Sequence, residues 1–118
     1  RLNGAHGIVA SGSGLVSGNN CAFNGTAGVG AGVRLAGNNT RAEGNNCVGN
    51  DVGIEASAGG NLIIRNSCAQ NTTNWNLAAN NVYGPIMNRT VPASPAVVGN
   101  TGLMDATGTS HPHANFSY

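Results

Sequence analysis

One six-residue segment occurs three times: Asn19-Asn20-Cys21-Ala22-Phe23-Asn24, Asn45-Asn46-Cys47-Val48-Gly49-Asn50 and Asn66-Ser67-Cys68-Ala69-Gln70-Asn71. Each copy reads N-[NS]-C-x-x-N, and successive cysteines are 26 and 21 residues apart. Asn3 lies 21 residues before Asn24, which implies an earlier copy cut by the start of the chain. Spacing of this size predicts an array in which each unit covers the apolar face of the next. Glycine and asparagine contribute 19 residues each to the 118, a bias that also occurs in disordered chains. Disorder is excluded because only 8% of residues are charged and the apolar residues are regularly spaced.

A second element repeats at a fixed phase. Ile8-Val9-Ala10, Val33-Arg34-Leu35 and Ile54-Glu55-Ala56 have apolar first and third members, the alternation of a half-buried strand. Their middle residues face water, so stacking in register sets Arg34 beside Glu55 as a cross-coil ion pair at the ~4.8 Å spacing of paired strands. A third apolar group, Leu15-Val16, Ala42 and Leu62-Ile63-Ile64, precedes each Asn-Cys segment. Gly/Asn/Ser turns separate the groups. A 21-residue period is too short for a βαβ unit of ~30 residues, and no segment shows sustained helical periodicity. The prediction is an all-β right-handed parallel β-helix, a β-solenoid of about three to four coils with triangular section and an irregular C-terminal cap. Five extra residues in the longer period are assigned to a loop within 25–32. As a single domain, residues 1–75 form the coils. Residues 76–118, which lack the motif and contain all four prolines, form a capping tail packed on the solenoid.

The asparagines have a structural use in such an array. Asn tolerates the left-handed backbone of a tight corner, and its amide donates to one neighbouring coil while accepting from the other. Asn24, Asn50 and Asn71 are predicted to form one ladder, and Asn19, Asn45 and Asn66 a second. Cys21, Cys47 and Cys68 share one phase and are read as stacked core thiols. There is no C-x-x-C pair, and parallel strands in register point their side chains the same way, a poor geometry for a disulfide. Of five Asn-x-Ser/Thr triplets, those at Asn38, Asn88 and Asn115 are candidate glycosylation sites.

The Asn-Cys-x-x-Asn repeat resembles bacterial right-handed parallel β-helix repeat proteins. So do the strand starts Gly7-Ile8, Gly32-Val33 and Gly53-Ile54, and the tail from Tyr83-Gly84-Pro85-Ile86 to Pro112-His113-Ala114-Asn115-Phe116. More specifically the chain resembles the C-terminal part of pectate-lyase-like proteins. The resemblance implies a fold that hosts lyases, hydrolases, adhesins and non-catalytic surface proteins alike. Lyases of that fold use clustered carboxylates for calcium with an Arg or Lys base, and hydrolases use two or three Asp. This chain has four acids, Glu43, Asp51, Glu55 and Asp105, at different phases of the repeat. Glu43 is paired with Arg65 in this reading and Glu55 with Arg34, and no two acids are placed together for acid/base chemistry. No catalytic residue, metal ligand or cofactor is assigned; His6, His111 and His113 lack the fixed spacing of a metal site.

A net charge of +1 with five arginines and no lysine predicts no nucleic-acid partner. No apolar run approaches the ~18–20 residues of a membrane span. The expected function is a non-catalytic extracellular or cell-surface structural protein, a fibre subunit self-associating head to tail through its open N-terminal coil. The alternatives are the C-terminal fragment of a polysaccharide lyase or hydrolase with its active site upstream, and a glycan-binding module using Trp75 or Tyr83 to stack on a polysaccharide.

Overall fold

The computed structural model describes residues 3–25, 28–88 and 112–118; the side chain of Asn88 is outside the description. All regular structure in these residues is β, in three parallel sheets. The chain visits the sheets in turn. Its first pass lays down β1 (Ile8–Ala10), β2 (Leu15–Ser17) and β3 (Asn20–Ala22), and its second β4 (Ala31–Leu35), β5 (Arg41–Glu43) and β6 (Asn46–Val48). A third pass gives β7 (Val52–Ala56), β8 (Leu62–Ile64) and β9 (Ser67–Ala69), and a fourth β10 (Thr73–Leu77), β11 (Val82–Tyr83) and β12 (Ile86–Asn88). The final strand is β13 (Asn115–Ser117). Sheet one is ordered β1-β4-β7-β10, sheet two β2-β5-β8-β11, and sheet three β3-β6-β9-β13-β12.

Alternation within each short strand decides what is buried. Val33, Leu35, Ile54 and Ala56 from sheet one, Val16, Ala42 and Ile63 from sheet two, and Cys21, Cys47 and Cys68 from sheet three share one core. Ile8, Ala10, Trp75 and Leu77 pack against it from the outer passes. Arg34 pairs with Glu55 in register, and Val9 pairs with Arg34. The residue-75 boundary falls inside β10, whose Trp75 is in register with Ile54. Residues 89–111, and with them Asp105, His111, Met104, Pro92 and Pro95, lie outside the described residues, as do Arg1 and Leu2.

The left-handed corner residue is not the ladder asparagine but the residue before it. Phe23, Gly49 and Gln70 have φ of 57°, 68° and 55° and precede Asn24, Asn50 and Asn71. Gly18, Gly44 and Arg65, at 68°, 66° and 57°, precede Asn19, Asn45 and Asn66. A single left-handed residue turns an extended chain sharply, and the next residue is then extended again with its side chain beneath the corner. The asparagines are therefore selected for their amides, and the conformational demand falls one position earlier.

A third corner follows the same rule. Asn39, Gly60 and Asn80 are left-handed, at φ 60°, 76° and 67°, and precede Thr40, Asn61 and Asn81. Asn61 Nδ2 donates to Asn81 Oδ1 at 3.0 Å, and the Thr40 and Asn61 N–H groups donate to the Oδ1 atoms of Asn61 and Asn81. Thr40 holds the ladder position with a hydroxyl instead of an amide, and its buried Oγ1 has no hydrogen-bond partner.

An unpaired buried hydroxyl costs ~1–3 kcal/mol, whereas removing it without changing shape costs little. Thr40→Val is therefore expected to raise unfolding free energy by about 1 kcal/mol, read as a higher urea midpoint at unchanged slope. Asn66→Ala should do the reverse and more strongly. Its amide takes two hydrogen bonds from Asn45 and gives one each to Ala42 O and Asn115 Oδ1. A loss of about 3 kcal/mol or more is expected in the same titration.

Candidate functional site

Among the described residues the thiols and side-chain carboxylates lie in the thiol row of sheet three, on the outer faces of sheets one and two, and at Asp51 beside the loop before β4. In sheet three each pass offers one inward position, and register sets Cys21 beside Cys47 and Cys47 beside Cys68. All three are free and buried. Gly32 and Gly53 make room for this row. A Cβ on Gly32 would come within 2.9 Å of Asn50 Nδ2 and 3.2 Å of Cys21 Cβ; one on Gly53 would come within 2.8 Å of Cys68 Sγ. The hydrogen bond with Cys47, and then burial, raise the pKa of Cys21. Cys47 is pushed up to about 12: its bond with Cys21 pulls downward, and its bond with Cys68, burial and repulsion from Cys68 together outweigh that. Thiols held protonated in this way are poor nucleophiles.

Both predicted amide ladders run between the layers. Asn24 Nδ2 donates to Asn50 Oδ1 at 2.8 Å and Asn50 Nδ2 to Asn71 Oδ1 at 2.9 Å. Asn3 extends this file, donating to Asn24 Oδ1 at 2.9 Å. Asn19 Nδ2 and Asn45 Nδ2 donate to Asn45 and Asn66 Oδ1, each at 3.0 Å. Each amide also ties down backbone: Asn50 Nδ2 donates to Cys21 O, and Asn45 Nδ2 to Val16 O.

The three described carboxylates are each engaged. Arg34 Nε lies 3.7 Å from Glu55 Oε2, an ion pair between half-buried side chains in which the buried Nε makes no hydrogen bond. Arg34 Nη1 also lies 3.1 Å from His6 Nε2, while His6 Nδ1 accepts the Ala31 N–H. Glu43 pairs with Arg41 at 3.0 Å and not with Arg65, because residues two apart on a strand share a face. Arg65 is an exposed corner residue. Asp51 Oδ2 accepts the N–H groups of Gly28 and Gly30, at 2.9 and 3.0 Å, and so clasps the loop that holds the five extra residues. Among the described residues no three His, Cys, Asp or Glu are grouped as metal ligands.

Two expectations are corrected by burial. Asn115 is fully buried and its amide joins the Asn66 ladder, so no glycan can project from it in this fold. Trp75 is half-buried against the core and donates its Nε1–H to Ser117 Oγ at 2.7 Å, so its ring is not the fully exposed platform the glycan-binding expectation used. Asn38 is exposed, and Asn88 has no described side chain. Tyr83 is 54% exposed at the edge of sheet two. A cleft of about 260 Å³ lies beside β3, lined by Gly7, Ile8, Asn19, Asn20, Cys21, Ala22 and Asn24.

Sequence reasoning missed Asp51, the Thr40-Asn61-Asn81 file, and Asn115 as a ladder member. The second of these had a signal, the spacing of 21 and 20 residues. The chain matches no family model, and no matching curated protein or solved structure is found. No described helix is long and apolar enough to cross a membrane.

A thiol whose pKa in the fold exceeds its ordinary 9.0 keeps its proton where the unfolded chain has lost it. Between pH 9 and 12 the folded chain therefore binds more protons, and stability falls as pH rises through that window. For Cys47 the slope approaches ~1.4 kcal/mol per pH unit. Urea midpoints should hold level to about pH 8.5 and then decline, and Cys47→Ala should flatten the decline.

Proposed function

We propose that the chain is part of a right-handed parallel β-helix similar to the C-terminal part of pectate-lyase-like proteins, serving as a non-catalytic structural element of an extracellular or surface protein. The order in which strands visit the three sheets supports the β-helix reading. The observation that carries the structural role is the commitment of the polar side chains. Ladder amides join layer to layer, Asp51 holds a loop, and Glu43 and Glu55 face arginines. These contacts stiffen a column and leave its described carboxylates occupied.

The reading includes head-to-tail assembly. β1, β2 and β3 are outermost at one end of the three sheets, and β10, β11 and β12 at the other. All strands within a sheet are parallel, so a second copy placed end to end continues the same strand direction. Pairing of free edges and burial of the half-covered Ile8 and Ala10 would drive the contact.

Sedimentation velocity and negative-stain microscopy of the purified chain are expected to show fibres of uniform width that grow with concentration. Tyr83→Pro should shorten them while leaving the fold intact. Val82 and Gly84 donate their N–H groups to Asn61 O and Ile63 O, on the β8 side, so the N–H of Tyr83 points to the free edge, where proline is tolerated. A chain that stays monomeric at all concentrations overturns assembly. Release of unsaturated or reducing sugar ends from acidic polysaccharide overturns the non-catalytic reading.

A further inference from the structure

The fourth layer of sheet three is filled out of sequence. β12 follows β11 directly in the chain, yet β13 sits between β9 and β12. Residues 89–114 separate the two strands in sequence. We propose that β13 is an exchangeable strand, and that the slot between β9 and β12 accepts the β13 of a second copy of this chain.

The described contacts that seat β13 are made by residues 113–118: His113 O accepts the Arg65 N–H at 3.3 Å, Ala114 is buried, and Asn115 donates its N–H to Pro85 O at 2.7 Å. Phe116 and Tyr118 donate their N–H groups to Asn66 O and Cys68 O, at 2.8 and 3.0 Å. Asn115 accepts from Asn66 N–H and Asn66 Nδ2 and donates to Ile63 O and Gly84 O. Ser117 takes the position next to Cys68 in the thiol row and accepts the Trp75 indole N–H. An identical strand from another copy makes the same bonds, so the slot does not discriminate between them. The slot also has to be filled. Without β13 the Asn66 N–H loses its acceptor, the Asn66 amide loses one of its two, and β12 loses the strand it pairs with.

Only the connection favours the chain's own strand. The 23 residues from 89 to 111 have a contour of up to about 80 Å, beyond the 42 Å long axis of the molecule. The local concentration that such a tether supplies is of millimolar order or lower, since it falls with length. Exchange therefore competes once protein concentration approaches that range during refolding. It is separate from end-to-end assembly, in which each copy keeps its own β13.

Phe116 and Ser67 are in-register neighbours on adjacent strands, both half-buried, while the native thiols are buried. Full-length Ser67→Cys and Phe116→Cys chains, each checked for fold by circular dichroism, are mixed in denaturant, refolded together at about 0.5 mM and treated with a short bismaleimide. The expected product is a covalent dimer linked 67 to 116 between chains, its share falling several-fold when refolding is done at about 5 μM. The double variant at low concentration should link within one chain, which verifies the reagent's reach. A double variant that links internally while the mixture never gives a 67–116 interchain link overturns the proposal, as do dimers linked only 67–67 or 116–116. End-to-end fibres without that link leave the assembly reading standing and sink exchange alone. The unsubstituted chain gives a second readout: a 1:1 co-refolded mixture of ¹⁵N- and ¹³C-labelled chains should show a cross-chain Overhauser effect from the Trp75 indole proton to Ser117. Its absence at high concentration counts against exchange.

Discussion

The asparagine amide lying between two layers is the interaction on which this structure depends. At each corner the backbone leaves its strand, and the N–H and C=O groups there lose the partners a continuous ladder would supply. A side-chain amide offers one acceptor oxygen and two donors in a plane, enough to accept the N–H and amide of the equivalent residue in one neighbouring layer and to donate to the amide of the other neighbouring layer and to a carbonyl. Asn45 does all of this: its Oδ1 takes two bonds from Asn19, and its Nδ2 reaches Val16 O and Asn66 Oδ1. Buried rows of this sort polarise along their length, so the loss of one member is felt by its neighbours.

The need for these rows explains the composition. A single inward residue per strand in sheets two and three gives a narrow interior of Ala, Val, Ile and Cys, and burial of such small groups is a modest driving force. Corner geometry adds its own demand, because one residue in each corner must be left-handed. Glycine meets that demand at positions 18, 44, 49 and 60, while Ser13, Phe23, Asn39, Arg65, Gln70 and Asn80 meet it at some strain. Asn and Gly together reach about a third of the chain because the corners use them in adjacent positions.

This division also sets what could be read from the sequence. The Asn-Cys-x-x-Asn repeat marks a corner, an inward residue and the next corner at fixed spacing, so the third strands, both ladders and the Arg34-Glu55 register were legible. The third ladder was hidden because Thr40 breaks its identity and Asn61 and Asn81 sit among other turn residues. The fourth pass was obscured where Asn74 replaces the glycine of Gly32 and Gly53 and Trp75 takes the aliphatic position of Val33 and Ile54; Asn71 Nδ2 ends its file on Asn74 Oδ1. Asp51 had no signature at all, since a carboxylate accepting backbone N–H groups from a loop leaves no pattern of residue types. The chemical candidates failed for a related reason: Glu43 was assigned across layers, but Arg41 stands on the same face of its own strand and is nearer.

The out-of-order strand follows from the same requirement. In the fourth layer of sheet three the ladder position aligned with Asn66 would, by chain order, be taken by Ile86, which is in register with Asn115. An isoleucine there leaves the buried Asn66 N–H without an acceptor, at a cost of ~1–3 kcal/mol, and leaves Asn66 Nδ2 with only its bond to Ala42 O. Asn115 supplies the missing amide, and Ser117 two residues on supplies a small polar group in the thiol row that also takes the Trp75 indole proton. β12 is then displaced one place outward, where it still pairs in parallel with β13. The occupant of a layer is thus chosen by which segment completes the amide file and not by which comes next along the chain. For this reason Asn-Phe-Ser at residues 115–117 can stand in for the Asn-Ser-Cys of residues 66–68 although a long stretch of sequence separates them.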